Sequence, residues 1–241
     1  MRASRADLES LLRARQFDRT LTTSLPAVPR DVAPSHITTL DASLGGGFPR
    51  GEVSELVGAR SSGRTSVMLQ MLASATARGE LVALVDALDM LDVESAVAAG
   101  IDLDRLLWVR GHVVTNPGLC RDMNQRALEQ ALRAFSLVLQ AGNFGLVVFD
   151  VAEAPSYAIR RLPFTTWLRL QRMVEASHTV CLLVGSEPMA RSAAGLTLRL
   201  GIRDAGGIRF RSQLFDGVDF DTHLIRARQS DVRVPLQTAC G

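Results

Sequence analysis

Several short stretches of this chain are apolar at every position instead of alternate ones: LVALVD at 81–86, FGLVVFD at 144–150 and TVCLLVG at 179–185. A strand with one wet face alternates. A strand that is apolar throughout must be covered on both faces, the condition of a parallel sheet with helices on either side. The intervening segments supply those helices. TSVMLQMLASATARG (65–79) and DVESAVAAG (92–100) end in glycine stops, while 120–142 and 164–177 carry apolar residues at helical spacing. Two further strands are expected at EVSELVG (52–58) and RLLWVR (105–110). After residue 195 the rhythm changes. GLTLRLGI, GIRFRSQLF and DTHLIRARQ read as successive short strands, an antiparallel extension at one edge of the sheet.

The fold class expected is therefore α/β, with a mostly parallel twisted sheet flanked by helices and antiparallel strands at the C-terminal edge. Residues 1–35 are assigned to an N-terminal helix and linker, and residues 36–241 to the core domain. SRADLESLLRARQF (4–17) has a capping-box-like start and a narrow apolar stripe, and 20–36 carries three prolines with little periodicity. That helix can pack on its own domain or on a neighbour.

A hydrophobic content of 47% supports a real core and argues against disorder. The apolar runs are strand-sized, so no membrane span is expected, and the N-terminus has no apolar signal region. Cys120, Cys181 and Cys240 fit no metal spacing and read as reduced thiols of a cytoplasmic protein. His36, His112, His178 and His223 are isolated in sequence, so no metal site is expected. The 27 basic residues nearly balance 25 acidic ones, and all 27 are arginine.

GARSSGRTS, residues 58–66, falls between an expected strand and an expected helix. It has the frame G-x-x-x-x-G-K-[ST] of a phosphate-binding P-loop, whose glycines let backbone N–H groups face a phosphate at a helix N-terminus. Gly58, Ser61, Ser62, Gly63, Thr65 and Ser66 fit the frame, and Arg64 stands at the lysine position. Asp150 closes an apolar strand, the place of a magnesium-side carboxylate; capping the next segment is its plainer role.

The segment LGGGFPRGEVSELVGARSSGRTSVMLQML (44–72) resembles the stretch of RecA recombinases that enters and forms their P-loop. ALVDALDMLDVESAVAAGIDLDRLLWVR (83–110) resembles the next stretch, with the pairing D-A-x-x-x-L-D and G-x-D-x-D-x-L. The resemblance covers about residues 40–230 and is strongest up to about 110. It implies a RecA-like P-loop core and brings three departures with it. The glutamate that activates water in the family's D-A-E segment is here Leu88, which can accept no proton. Asp89 and Glu55 are the carboxylates that could substitute. The P-loop lysine is Arg64, whose planar guanidinium differs in length and shape from an ammonium. The Asn-Gln pair that senses the terminal phosphate is replaced by Gly185 and Ser186.

Together these imply a RecA fold without ATPase activity. No cofactor is expected, with ATP and magnesium binding as the exception, and Arg64 folding into the phosphate site is one way to prevent it. The loops corresponding to the family's DNA-binding loops are about 151–163, with Arg160 and Arg161, and 186–195, with Arg191. These arginines are candidate phosphate contacts or solvated surface charges. Tyr157 could stack on bases, whereas Trp167 is expected in the core.

A shortened RecA homologue without its hydrolytic residues resembles the ImuA family. That resemblance implies an adaptor in SOS-induced, error-prone translesion synthesis, with RecA and an ImuB-like protein as partners and an error-prone replicative-type DNA polymerase in the same assembly. The alternatives are an active RecA- or RadA-type DNA-dependent ATPase and a SulA-like cell-division inhibitor.

Overall fold

The computed structural model describes residues 31–111, 121–175, 177–202, 208–211, 214–227 and 236–239. The expected N-terminal helix at 4–17, His112, Cys120 and Cys240 lie outside them.

Along the chain the elements are β1 (Val32–Ala33), α1 (Thr38–Ser43), β2 (Phe48–Pro49), β3 (Val53–Gly58), α2 (Arg64–Ala77), β4 (Val82–Asp86) and α3 (Val93–Ala98). There follow β5 (Leu106–Arg110), α4 (Arg121–Ala141), β6 (Leu146–Asp150), α5 (Ser156–Arg160), α6 (Phe164–Val174) and β7 (Val180–Gly185). The last strands are β8 (Leu196–Ile202), β9 (Ile208–Arg211), β10 (Leu214–Ala227) and β11 (Leu236–Ala239). The main sheet runs β11-β10-β8-β3-β7-β6-β4-β5, with β9 paired to β10. Strands β8, β3, β7, β6, β4 and β5 are mutually parallel. β10 is antiparallel to β8, β9 and β11.

The uniformly apolar strands are buried on both faces, as their composition requires. Val147, Phe149, Cys181 and Leu183 point into a core shared with Leu128, Phe135 and Leu139 of α4 and Trp167 and Leu170 of α6. Their neighbours Val148, Leu182 and Val184 point the other way, onto Val67, Met68, Met71 and Leu72 of α2 and Leu40 of α1. Residues 31–35, placed in the linker by composition, begin this second layer: β1 pairs with β2, and Ala33 is buried. Cys181 is a free thiol with no exposure, whose pKa burial drives far above the ordinary range.

The C-terminal extension differs in detail from the sequence expectation. β8 is parallel to β3, and the direction reverses only at β10, a single 14-residue strand. The reason lies in the preceding segment. β7 ends beside Val57 at one edge of the sheet, and β8 starts beside Ser54 at the other. Residues 186–195 therefore travel the length of the sheet, burying Met189, Ala190, Ala193 and Ala194 in the first core layer. Among the described residues no helix is long and apolar enough to cross a membrane.

Candidate functional site

The C-terminal ends of β3, β7, β6 and β4 gather around the phosphate loop, the edge at which parallel sheets place their ligands. β3 ends at Gly58, where an added Cβ would lie 2.3 Å from the Ser62 Oγ and 2.7 Å from the Leu200 carbonyl, so a side chain cannot be accommodated. The turn closes with a bond from the Ser62 amide to the Ala59 carbonyl (3.2 Å). Ser61 (φ 60°) and Gly63 (φ 88°) are both left-handed, and Gly63 caps α2 without a side-chain bond. The loop thus has the alternating turn from which backbone N–H nests are built. Ser62 is buried and its hydroxyl has no partner among the described residues. Thr65 and Ser66 are exposed and line a cavity of about 370 Å³ together with Asp86, Leu88, Asp150 and Glu153.

Arg64 does not extend into that cavity. It is buried, with 4% exposure, and its guanidinium is spent on the protein itself. Nη1 donates to the Gly58 carbonyl (2.5 Å) and the Gly185 carbonyl (3.1 Å), while Nη2 donates to Glu153 Oε1 (3.0 Å). A buried cation needs an anion and satisfied donors. Here it finds the last carbonyls of two adjacent strands and a carboxylate from the loop after β6. That carboxylate serves two cations, because Arg60 Nε lies 3.3 Å from Glu153 Oε2.

Asp150 and Asp86 are register partners at the ends of β6 and β4. Burial pushes the Asp150 carboxyl up to about 6; the hydrogen bond from the Ala152 amide opposes this, the Asp86 charge adds to it, and Arg64 offsets part of it. Asp150 accepts from the Ala152 amide, the capping role, and it lines the cavity. Asp86 is fully buried and accepts from the Leu91 amide (2.8 Å) and the Trp108 indole (3.4 Å).

Asp89 and Glu55, the two carboxylates expected as substitutes at Leu88, are both engaged elsewhere. Leu88 is buried at the cavity wall and belongs to the core layer. Asp89, in a left-handed conformation (φ 58°), makes two 2.7 Å bonds to Arg110, which hold its carboxyl below the ordinary range. Glu55 is fully buried and receives the amides of Met189 and Ala190 (2.7 Å each) and the Thr197 hydroxyl (2.8 Å). It anchors the crossover from β7 to β8. Gly185 contributes only its carbonyl to Arg64, and Ser186 follows in a bend, partly buried. In this arrangement the loop cation is engaged by protein acceptors, and the position at which the resemblance implies a water-activating glutamate is the apolar Leu88. Among the described residues no group of three His, Cys, Asp or Glu side chains could hold a metal.

The candidate DNA contacts sit on less loop-like structure than expected. Arg160 ends α5 and pairs with Glu187 (3.1 Å), and Arg161 follows it, exposed. Arg191 (φ 50°) lies exposed on the buried crossover, its carbonyl accepting from Arg226. Trp167 is buried and Tyr157 packs partly buried on the core. Sequence reasoning missed Glu153 and Asp86. Asp86 was visible in the D-A pair beside Leu88, and Glu153 lies three residues beyond Asp150, yet nothing in sequence shows that Arg64, 89 residues earlier, would reach it.

The RecA N-terminal domain family matches residues 21–157, more than half of the chain, and the chain belongs to that family. It is 39% identical to Protein RecA of a Nocardioides species over 127 residues, 52% of this chain and 32% of that protein. Against Protein RecA of Streptomyces avermitilis it is 38% identical over 130 residues, 54% of this chain and 31% of the relative. The chain spans about a third of the length of these relatives. The crystal structure of the RadB recombinase shares the fold, with a TM-score of 0.57 at 19% identity, covering 85% of this chain and 93% of RadB.

Proposed function

We propose that this chain is a non-hydrolysing RecA-like adaptor in DNA repair. More specifically, we place it in the ImuA type, acting in SOS-induced, error-prone translesion synthesis through contacts with RecA and an ImuB-like protein. An error-prone replicative-type DNA polymerase belongs to the same assembly, in the cytoplasm. The observation that carries this reading is the engagement of Arg64 by Gly58, Gly185 and Glu153. A RecA-family loop whose cation is bound internally, beside a leucine at the base position, retains a scaffold for assembly and lacks the groups for turnover. Loss of a general base alone costs ~10²–10⁴ in rate.

The direct test is ATP turnover with and without single-stranded DNA. No rate above background is expected, and Asp150→Ala should change nothing. A DNA-stimulated rate that Asp150→Ala abolishes would establish the ATPase alternative instead. For the adaptor role, binding to RecA filaments and to an ImuB-like partner should be measured with and without residues 1–20. Equal binding by both forms rejects docking through the N-terminal segment.

A further inference from the structure

We infer that Glu153 is a resident anion standing in for phosphate, so that the phosphate loop is held by the chain's own carboxylate and excludes nucleotide. This deepens the non-hydrolysing reading and rests on it. P-loops neutralise a phosphate with backbone N–H groups and a loop cation. Here the cations the loop contributes, Arg60 and Arg64, converge on the two oxygens of one carboxylate, at 3.3 and 3.0 Å. Glu153 comes from the segment just after β6, so the bridge joins the loop to the strand end that carries Asp150. Nη1 of Arg64 donates to the carbonyls of Gly58 and Gly185, tying β3 and β7 into the same knot.

An incoming polyphosphate would have to displace this carboxylate. It would also meet Asp86 and Asp150 on the cavity wall, like charges in a partly desolvated space. The arrangement of the three strand ends is consequently independent of nucleotide. An external ligand sets that arrangement in a switching protein; an internal one fixes it here.

The test is chemical rescue. The Glu153 side chain is 28% exposed, so Glu153→Ala is expected to fold, with its loop arginines deprived of their anion. The melting temperature of Glu153→Ala should fall and should recover on titration with millimolar pyrophosphate, whereas the unaltered chain should not respond. Affinity for a fluorescent ADP analogue should rise at least about tenfold in Glu153→Ala, a change of ~1.4 kcal/mol in binding. Glu153→Gln, which keeps shape and removes charge, should give a smaller response of the same sign and serves should the alanine variant misfold. Binding by the unaltered chain as tight as by the variants overturns the proposal. So does a properly folded variant that gains no affinity. ATP turnover by the unaltered chain would sink both readings, whereas tight binding without turnover would sink only this one.

Discussion

Two arginines, Arg50 partly buried and Arg64 buried, hold opposite edges of the sheet with the same chemistry. Arg50, at the edge where the parallel strands begin, donates to the carbonyls of Gly145 and His178 (3.2 and 2.7 Å) and to Glu80 (2.6 Å). Arg64, at the edge where they end, donates to the carbonyls of Gly58 and Gly185 and to Glu153. Each joins two strand termini and closes on a glutamate. The first edge has no ligand role in parallel sheets; the second is where they bind substrates. The likeness teaches what Arg64 has become: at the position of a phosphate-binding lysine it performs the stapling job that Arg50 performs at the inert edge. A planar fork with five donors suits that job, and an ammonium does not.

The comparison breaks if the two arginines prove unequal in kind. Arg64→Ala should produce the largest effect, a loss of ~3 kcal/mol, because it strands two carbonyls bonded to a side chain only 5% exposed and leaves Glu153 with only the largely exposed Arg60. Arg50→Ala should cost ~2 kcal/mol, since its side chain is 12% exposed and Glu80 keeps a second partner in Arg78. Urea titrations would measure both. An Arg64→Ala variant as stable as the unaltered chain would mean that the staple is ornamental and that position 64 still serves a ligand.

The edges should also answer pH in opposite directions. Burial would raise the Glu80 carboxyl, but hydrogen bonds and charges from Arg78 and Arg50 outweigh it and hold it below its ordinary value of 4.5. A depressed carboxyl contributes stability that is present above the unfolded pKa and is lost as pH falls through the folded one. Asp150 is displaced the other way, from 3.8 to about 6. Its contribution is fully present below about 3.8 and lost as pH rises through about 6. Asp150→Asn keeps an acceptor for the Ala152 amide and removes the charge. It should stabilise the protein at pH 7.5 by up to ~2 kcal/mol and leave it little changed at pH 4. A variant that loses stability at pH 7.5 would show that the ionised carboxylate is compensated by a cation in the cavity.

How far the sequence reveals these features depends on range. The strands are legible because burial on both faces leaves its mark within each segment, as in VCLLVG of β7 and LVVFD of β6. The direction of β8 is not. LTLRL alternates like a half-exposed strand, yet Thr197 is buried by its bond to Glu55 and only the buried path of 186–195 makes the strand parallel. The absence of a base at Leu88 is local and readable. The fate of Arg64 is not, since its partners Gly185 and Glu153 lie 121 and 89 residues away. A cation's identity can be read from a motif; the acceptor that claims it is decided by which strand ends the topology sets side by side.

The smallest effect tests where stapling stops and surface begins. Arg160 and Glu187 also join the ends of two adjoining segments, but their side chains are 70% and 58% exposed. Water screens such a pair and side-chain entropy opposes it. Arg160→Ala should therefore change stability by less than ~0.5 kcal/mol, and a double-mutant cycle with Glu187→Ala should give a coupling no larger. The same variant examines the candidate DNA face. With Glu187 as its partner, Arg160 is expected to leave the salt dependence of single-stranded DNA binding unchanged. A reduction of that salt slope by ~1 on Arg160→Ala would instead assign the guanidinium to a phosphate. It would separate Arg160 from Arg50 and Arg64 altogether, since the guanidinium groups of those two are bonded to strand-end carbonyls and a glutamate of the protein.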